Sequence, residues 1–393
     1  MDLKADEALA RSNLIRSDRS APGITRKAKP SPDEAPIDWE FMAADGKVLK
    51  DANRIAEINA LAIPPAWTDV WICSNDRGHI QATGVDGKGR LQYRYHPNWI
   101  AMKAEMKFDG VAGFAESLPA LRKKINQDLK RDSMDLEKVS ALVVRLMDLY
   151  NIRVGSDEYA RTNESYGLTT LRNGHMVRKT GDNAEGRHDA VFSFTGKSGK
   201  SWEILIEDDD LVDLLLETRK LGSKGKDTDL FYFVNTETEN ENDLKAEHIN
   251  QYIQDATGES YTAKDFRTWA ATWKCAYRLA FIDKDEKGST LVNFIKKLPE
   301  PANENLQNLV NDDGRISLDS DTARNKAMLA VIDTVASNLG NTRAVCRSSY
   351  IHPLFVESFL DGTIQKRWSE GQEGIQITGL SAEESITLNV LRQ

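Results

Sequence analysis

The apolar residues of this 393-residue chain change period near residue 100, so a sheet and a set of helices must be built from separate stretches. Before that point VWICS (70–74), HIQATG (79–84) and RLQYRYH (90–96) alternate apolar with polar residues. The turns NDRG and DGKG separate them, which predicts an antiparallel sheet. LAIPPAW (61–67) carries two prolines, which mid-helix excludes, and reads as a bend entering that sheet. Beyond about residue 101 the spacing is helical. Val139, Leu142, Leu146 and Leu149 form one stripe, and Met328, Ile332, Val335 and Leu339 another, with Gly340 ending the second helix as its C′ residue. Between them YGLTTL (166–171) and AVFSFTGKSGKSWEILI (190–206) predict a small sheet with a hairpin at TGKSGK. The fold class is therefore α+β, a small antiparallel β-rich N-terminal domain followed by a larger, mainly α-helical domain with a small inserted sheet. The expected boundaries are a flexible polar arm over 1–25, the β-rich domain over 26–103, a link near 101–105, the helical domain over 104–375, and a tail over 376–393. In the tail, SAEESITL starts a helix with a capping box at Ser381 and Glu384.

At 40% apolar content the chain can bury a sizeable core. Cys73, Cys275 and Cys346 are far apart, odd in number and form no CxxC pair, which argues against a disulfide framework or a thiolate zinc site and fits a reducing compartment. No leader pattern opens the chain, and no stretch approaches the roughly 18 apolar residues of a membrane span. The expectation is a cytoplasmic protein. A net charge of −9 argues at first against a polyanionic partner, yet residues 201–250 alone carry a net −9, while residues 1–200 come to +3. Basic runs at RKAKP (26–30), LRKKINQDLKR (121–131) and LRNGHMVRK (171–179) allow a basic working face beside an acidic lobe.

There is no GxxxxGK[ST], HExxH or GxSxG pattern, so nucleotide hydrolysis, zinc peptidase chemistry and the common hydrolase elbow are unsupported. Four segments stand out instead. They are LYNIRVGSDEYARTNESYGLTTL (149–171), the hairpin FTGKSGK (194–200), TAKDFRTWAAT (262–272) and GNTRAVCRSSYIHP (340–353). The last gathers Cys346, Ser348, Ser349, Tyr350 and His352 within seven positions. Cys346 and the two serines fit helix-facing and capping places, and His352 with Pro353 reads as a turn into PLFVESFL.

Taken in order, these segments resemble the type IB DNA topoisomerases of poxviruses and bacteria. PGITR, LAIPPAW, GHIQATG and GRLQYRYHP in the N-terminal part agree, so the likeness runs from about residue 22 to 360. It implies a tyrosine recombinase/topoisomerase IB-like catalytic domain and a β-rich domain that closes with it around duplex DNA as a C-shaped clamp. The implied enzyme is a monomer associated with the nucleoid, using no cofactor and no metal. By the same resemblance Tyr350 is the nucleophile, Arg153 and Arg267 flank the phosphate, Lys197 is the general acid, and Asn341 donates to a non-bridging oxygen. Histidine stands at that last position in poxvirus and eukaryotic members, and asparagine is the bacterial pattern. Gln92, Tyr93, Tyr95 and Tyr159 match DNA-touching positions, and Lys88, Arg90 and Arg94 are placed to meet phosphates. Two rival readings stay open, a tyrosine site-specific recombinase and a non-catalytic DNA-binding protein of the same fold. Recombinases carry His at the position of Lys264 and lack the LAIPPAW to QYRYH domain.

The chemistry agrees with these roles independently. A phosphodiester transition state gathers charge on oxygens that a planar guanidinium meets two at a time while staying protonated. Expelling an unprotonated 5′-oxygen is very unfavourable, and a lysine, with an ordinary pKa of about 10.4, becomes a usable acid when neighbouring cations lower it. Because a covalent phosphotyrosine conserves the phosphodiester bond energy, resealing needs no ATP, in keeping with the missing P-loop. No residue stands out in the sequence as a base for Tyr350.

Overall fold

A computed structural model describes residues 3–29, 38–180, 188–282, 318 and 320–393. The chain divides into two compact units, Met1–Gly110 and Val111–Gln393. No described helix is long and apolar enough to cross a membrane.

In the first unit, helix α1 (Leu3–Ser12) lies where a polar arm was expected, and it buries Ala8 and Leu9. Strands β1 (Thr25–Ala28) and β2 (Trp39–Met42) pair antiparallel. Helix α2 (Ala52–Ala60), which the alternating pattern did not signal, starts at Asp51, whose carboxylate accepts from the amides of Asn53 and Arg54. Strands β3 (Thr68–Ile72), β4 (Ile80–Val85) and β5 (Leu91–Tyr95) form the expected meander, in the order β3-β4-β5. Ile24, Phe41, Ile58, Ile72 and Ala82 make its core. The proline bend is held from β1, where the Arg26 guanidinium donates to the carbonyls of Ile63 (3.0 Å) and Pro64 (2.6 Å) and stacks on Trp39. Helix α3 (Pro97–Asp109) begins on a His96 cap and runs unbroken through the residues expected as a link, so the units divide at Gly110.

The second unit opens with α4 (Val111–Asp128) and α5 (Leu136–Tyr150), followed by the short α6 (Asp157–Asn163). Strands β6 (Met176–Thr180), β7 (His188–Gly196) and β8 (Lys200–Ile206) form an antiparallel sheet with its tip at Lys197–Gly199. Then come α7 (Asp209–Thr218), the small pair β9 (Tyr232–Val234) and β10 (Glu241–Asp243), α8 (Ala246–Thr257) and α9 (Ala263–Ala280). The described chain closes with α10 (Asp321–Leu339), α11 (Arg343–Ser349), α12 (Pro353–Leu360), α13 (Ile364–Gln372) and α14 (Ala382–Leu391). Val139, Leu142 and Leu146 are fully buried, but Leu149 is 48% exposed. The α10 stripe is buried over its whole length. Leu168–Thr170 form a 3-10 turn and not the expected strand, since the amides of Leu168 and Thr169 are taken by the carbonyls of Arg153 and Val154.

Charges that looked available in the sequence are largely engaged. In the 121–131 run Lys124 pairs with Asp128 (2.7 Å), Arg131 pairs with Asp135 (2.6 Å), and Arg122 binds both Asp148 and Glu384 (2.8 Å each). Part of the acidic 201–250 stretch serves α7, where Asp208 caps the helix and Asp209 and Asp210 sit in its positive first turn.

Glu384 shows that the tail helix belongs to the core. It is 4% exposed, closes the expected capping box with Ser381, and accepts from Trp269 Nε1 (3.0 Å) as well as from Arg122. Burial alone would raise its pKa, yet Arg122 outweighs that effect and holds the carboxyl below the usual range. Glu384→Ala would leave Arg122 with Asp148 as its one carboxylate partner beside the Gly379 carbonyl, and should cost about 3 to 5 kcal/mol in urea denaturation. A loss under about 1 kcal/mol would mean that Asp148 alone suffices for Arg122. With its pKa depressed on folding, the Glu384 contribution is complete above the ordinary glutamate value of about 4.3. It disappears as the pH falls through the lower folded value.

Candidate active site

Helix α5 ends on Asn151 in the left-handed conformation, and the chain then runs without regular structure through Arg153 to Gly155. Gly155 has φ +113°, and a Cβ on Gly167 would lie 2.6 Å from Gly155 Cα, so only two glycines allow these backbones to pass. That crossing, with Leu168 N bonded to Arg153 O (2.9 Å), fixes the arginine's backbone.

Arg267 lies on the second turn of α9 and is 4% exposed. Its two terminal nitrogens donate to the carbonyls of Asn151 and Leu339 (2.6 Å for the latter), at the C-terminal ends of α5 and α10. These are carbonyls that helix ends leave without partners, at the negative pole of each helix. The fork expected to hold two phosphate oxygens is thus partly spent on the protein itself. Arg267 Nε remains buried without a partner. Burial, and then the charge of Arg153, push the Arg267 pKa down to about 10, with the Tyr350 phenol acting the other way. It stays protonated at neutral pH. Burial likewise lowers Arg153, and Tyr350 again opposes the effect.

Gly340 caps α10 with φ +60°, and Asn341 follows it, 7% exposed. Arg153 Nη2 donates to Asn341 Oδ1. Because arginine offers only donors, the amide oxygen must face it, and Nδ2 is turned away. That Nδ2 is buried and unpartnered, so Asn341 presents a donor with nothing yet to receive it.

Tyr350 caps the C-terminus of α11. Its carbonyl accepts from Thr272 Oγ1 of α9 (3.1 Å), and its ring lies 5.4 Å from the Arg267 guanidinium carbon. Arg153, Lys197, Arg267 and Tyr350 line one cavity of about 270 Å³, together with Tyr159 and Lys264. Four of these six are cations, and among the described residues lining the cavity none is a carboxylate or an imidazole. Asn341 joins through Arg153, and Lys200 Nζ donates to Asn341 O (2.9 Å). The motif pairs Lys264 with Arg267 three residues on, which sets both on one face of a helix, but the sequence assigns Lys264 no role; the structure adds it to the cavity. The other reactive groups near Tyr350 are occupied. Cys346 is fully buried and burial pushes its thiol up to about 12, Ser348 bonds to Ala344 O, and His352 caps α12 through Nδ1.

In the first unit, Tyr93 and Tyr95 share one face of β5, 38% and 39% exposed, with their rings stacked at 5.8 Å. Gln92 and Arg94 alternate onto the other face, as the pleat requires. There Gln92 bonds to Asp86, and Arg94 donates to Ala62 O and lies over Trp67. Arg94 is therefore not beside the tyrosines. Arg90 pairs with Asp86 (2.8 Å) in the turn that also carries the exposed Lys88.

Residues 96–368 match the family model described as "Eukaryotic DNA topoisomerase I, catalytic core", a span holding Arg153, Lys197, Arg267, Asn341 and Tyr350. The chain belongs to the type IB DNA topoisomerase family. Residues 38–86 match a second model, "Bacterial DNA topoisomerase IB, N-terminal domain". DNA topoisomerase 1B of Acanthamoeba polyphaga mimivirus is 36% identical over 225 residues, 56% of this chain and 63% of that relative. DNA topoisomerase I of Monkeypox virus is 27% identical over 176 residues, and DNA topoisomerase 1B of Vaccinia virus (strain Copenhagen) 26% over 179. Each of these two alignments covers 41% of this chain and 54% of the relative. The chain thus spans between about half and two thirds of these topoisomerases' length.

Proposed function

We propose that this protein relaxes supercoiled duplex DNA by cutting one strand, letting it rotate, and resealing it, without ATP or a metal ion. The observation that carries this reading is the cavity in which four cations meet Tyr350 with no carboxylate among the described lining residues. Buried cations are ordinarily paired. A site whose arginines have no carboxylate among the described lining residues is suited to an incoming anion, and a backbone phosphate offers several acceptor oxygens.

In the proposed reaction Tyr350 Oη attacks the phosphorus, and its proton passes to solvent. The bond to the 5′-oxygen breaks as that oxygen takes a proton from Lys197 Nζ, leaving a 3′-phosphotyrosyl bond and a free 5′-hydroxyl. Arg153, Arg267 and Asn341 stabilise the charge on the non-bridging oxygens. Reversal by the 5′-hydroxyl reseals the strand. The second unit is read as a tyrosine recombinase/topoisomerase IB-like catalytic domain and the first as a DNA-binding domain. Tyr93 and Tyr95 offer exposed aromatic surface, Lys88 is placed for a phosphate, and Arg90 serves once released from Asp86. Tyr159, on α6 at the cavity, is placed for the strand that is cut. The protein would act as a monomer on the DNA of the nucleoid. In a plasmid assay with EDTA, both negative and positive supercoils should be relaxed; a requirement for divalent metal or ATP would contradict the reading.

A further inference from the structure

Lys197 is exposed at the tip of a hairpin, so its ammonium is positioned only as well as the hairpin is fastened. Two side chains on one face of β8, Lys200 and Trp202, fasten it to consecutive residues of another element. Lys200 Nζ donates to Asn341 O (2.9 Å), and the Trp202 indole fills the space over Gly340, where any Cβ would collide with it. The same indole packs on the hairpin's own Gly196, whose Cβ would lie 2.6 Å from Trp202 Nε1. It is braced across the sheet by its register partner Phe194, with parallel rings 6.3 Å apart. The hairpin is tied next to its tip as well, through Tyr166 N to Thr195 O (2.8 Å), to the loop whose next turn holds Arg153. Gly340 and Asn341 therefore meet one strand through successive same-face residues, the period-2 spacing a β-strand provides.

We propose that Lys200 and Trp202 are positioning residues that latch the Lys197 hairpin onto the Gly340–Asn341 turn. Proton donor and phosphate-binding groups then form one preassembled unit. This inference rests on the topoisomerase reading and on Lys197 as the acid. It divides the work between two neighbouring lysines. Lys197 lines the cavity, whereas Lys200 spends its ammonium on a backbone carbonyl outside it. A glycine with φ +60° at 340 serves the latch twice, by ending α10 and by leaving room for the indole.

The test uses a duplex in which sulfur replaces the 5′-bridging oxygen at the cleaved phosphate. A thiol has a pKa near 8.5 and leaves as thiolate without a donated proton, so cleavage of this substrate does not need the acid. Single-turnover cleavage is measured on the oxygen and sulfur substrates with Lys200→Met, Trp202→Ala and Lys197→Ala. Misplacing a catalytic group by about 1 Å can cost on the order of 10²-fold. Lys200→Met and Trp202→Ala should therefore slow the oxygen substrate by about that factor while cleaving the sulfur substrate at close to the parent rate. Lys200 is exposed, so Lys200→Met leaves the fold intact even if Trp202→Ala does not. Equal slowing on both substrates, or no slowing on either, with Lys197→Ala still rescued by sulfur, would overturn the latch and leave the acid assignment standing. Failure of sulfur to rescue Lys197→Ala would instead overturn the acid assignment on which the latch depends.

Discussion

Tyr350→Phe protein should bind duplex DNA close to the parent affinity and form no covalent adduct at all. The substitution removes only Oη. The ring remains in place beside Arg267, and the Thr272 bond to the residue 350 carbonyl is a backbone contact that survives. The other candidates nearby cannot substitute, because Cys346 is buried with a raised pKa and Ser348 is engaged with Ala344. Adduct is measured by denaturing the reaction and following an end-labelled duplex on a gel, and binding by mobility shift. Any adduct from the variant would place the nucleophile elsewhere.

The second large effect belongs to Arg267. Arg267→Lys should lower the single-turnover cleavage rate by on the order of 10²- to 10³-fold, the usual loss for one preorganised donor to developing charge. Lysine keeps the charge but offers one compact ammonium, which cannot serve Asn151 O, Leu339 O and a phosphate from a single position. Arg267→Ala should in addition lower stability by about 1 to 3 kcal/mol, since two helix-end carbonyls lose a buried donor. Comparing the two variants separates the roles. If lysine restores cleavage fully, the planar fork is irrelevant and Arg267 acts through charge alone.

The architecture was legible wherever the signal is local. The meander of β3 to β5 follows from alternation and glycine turns, α10 from its stripe and Gly340, and the start of α14 from its capping box. Local readings failed where a distant partner decides. Leu168–Thr170 have strand-like composition, but Arg153 and Val154 take the amides of Leu168 and Thr169, and Thr170 N turns back to Gly167 O. The basic run at 121–131 looked like a surface for an anion, yet its partners lie on α4 itself, at the start of α5, at the end of α5 and on α14.

The sequence by itself determined which groups the site could offer, because a tyrosine, two arginines, a lysine and an asparagine in those motifs carry their donors and charges with them. Only the tertiary structure decided how those groups are spent. It turned Asn341 Nδ2 away from Arg153, fastened two edges of Arg267 to helix ends, and gave Lys200 and Trp202 a hold on the Gly340–Asn341 turn. The reason is geometric. A residue's type fixes what it can donate, whereas the partner that receives the donation lies tens to hundreds of positions away and is chosen by how helices and sheet pack.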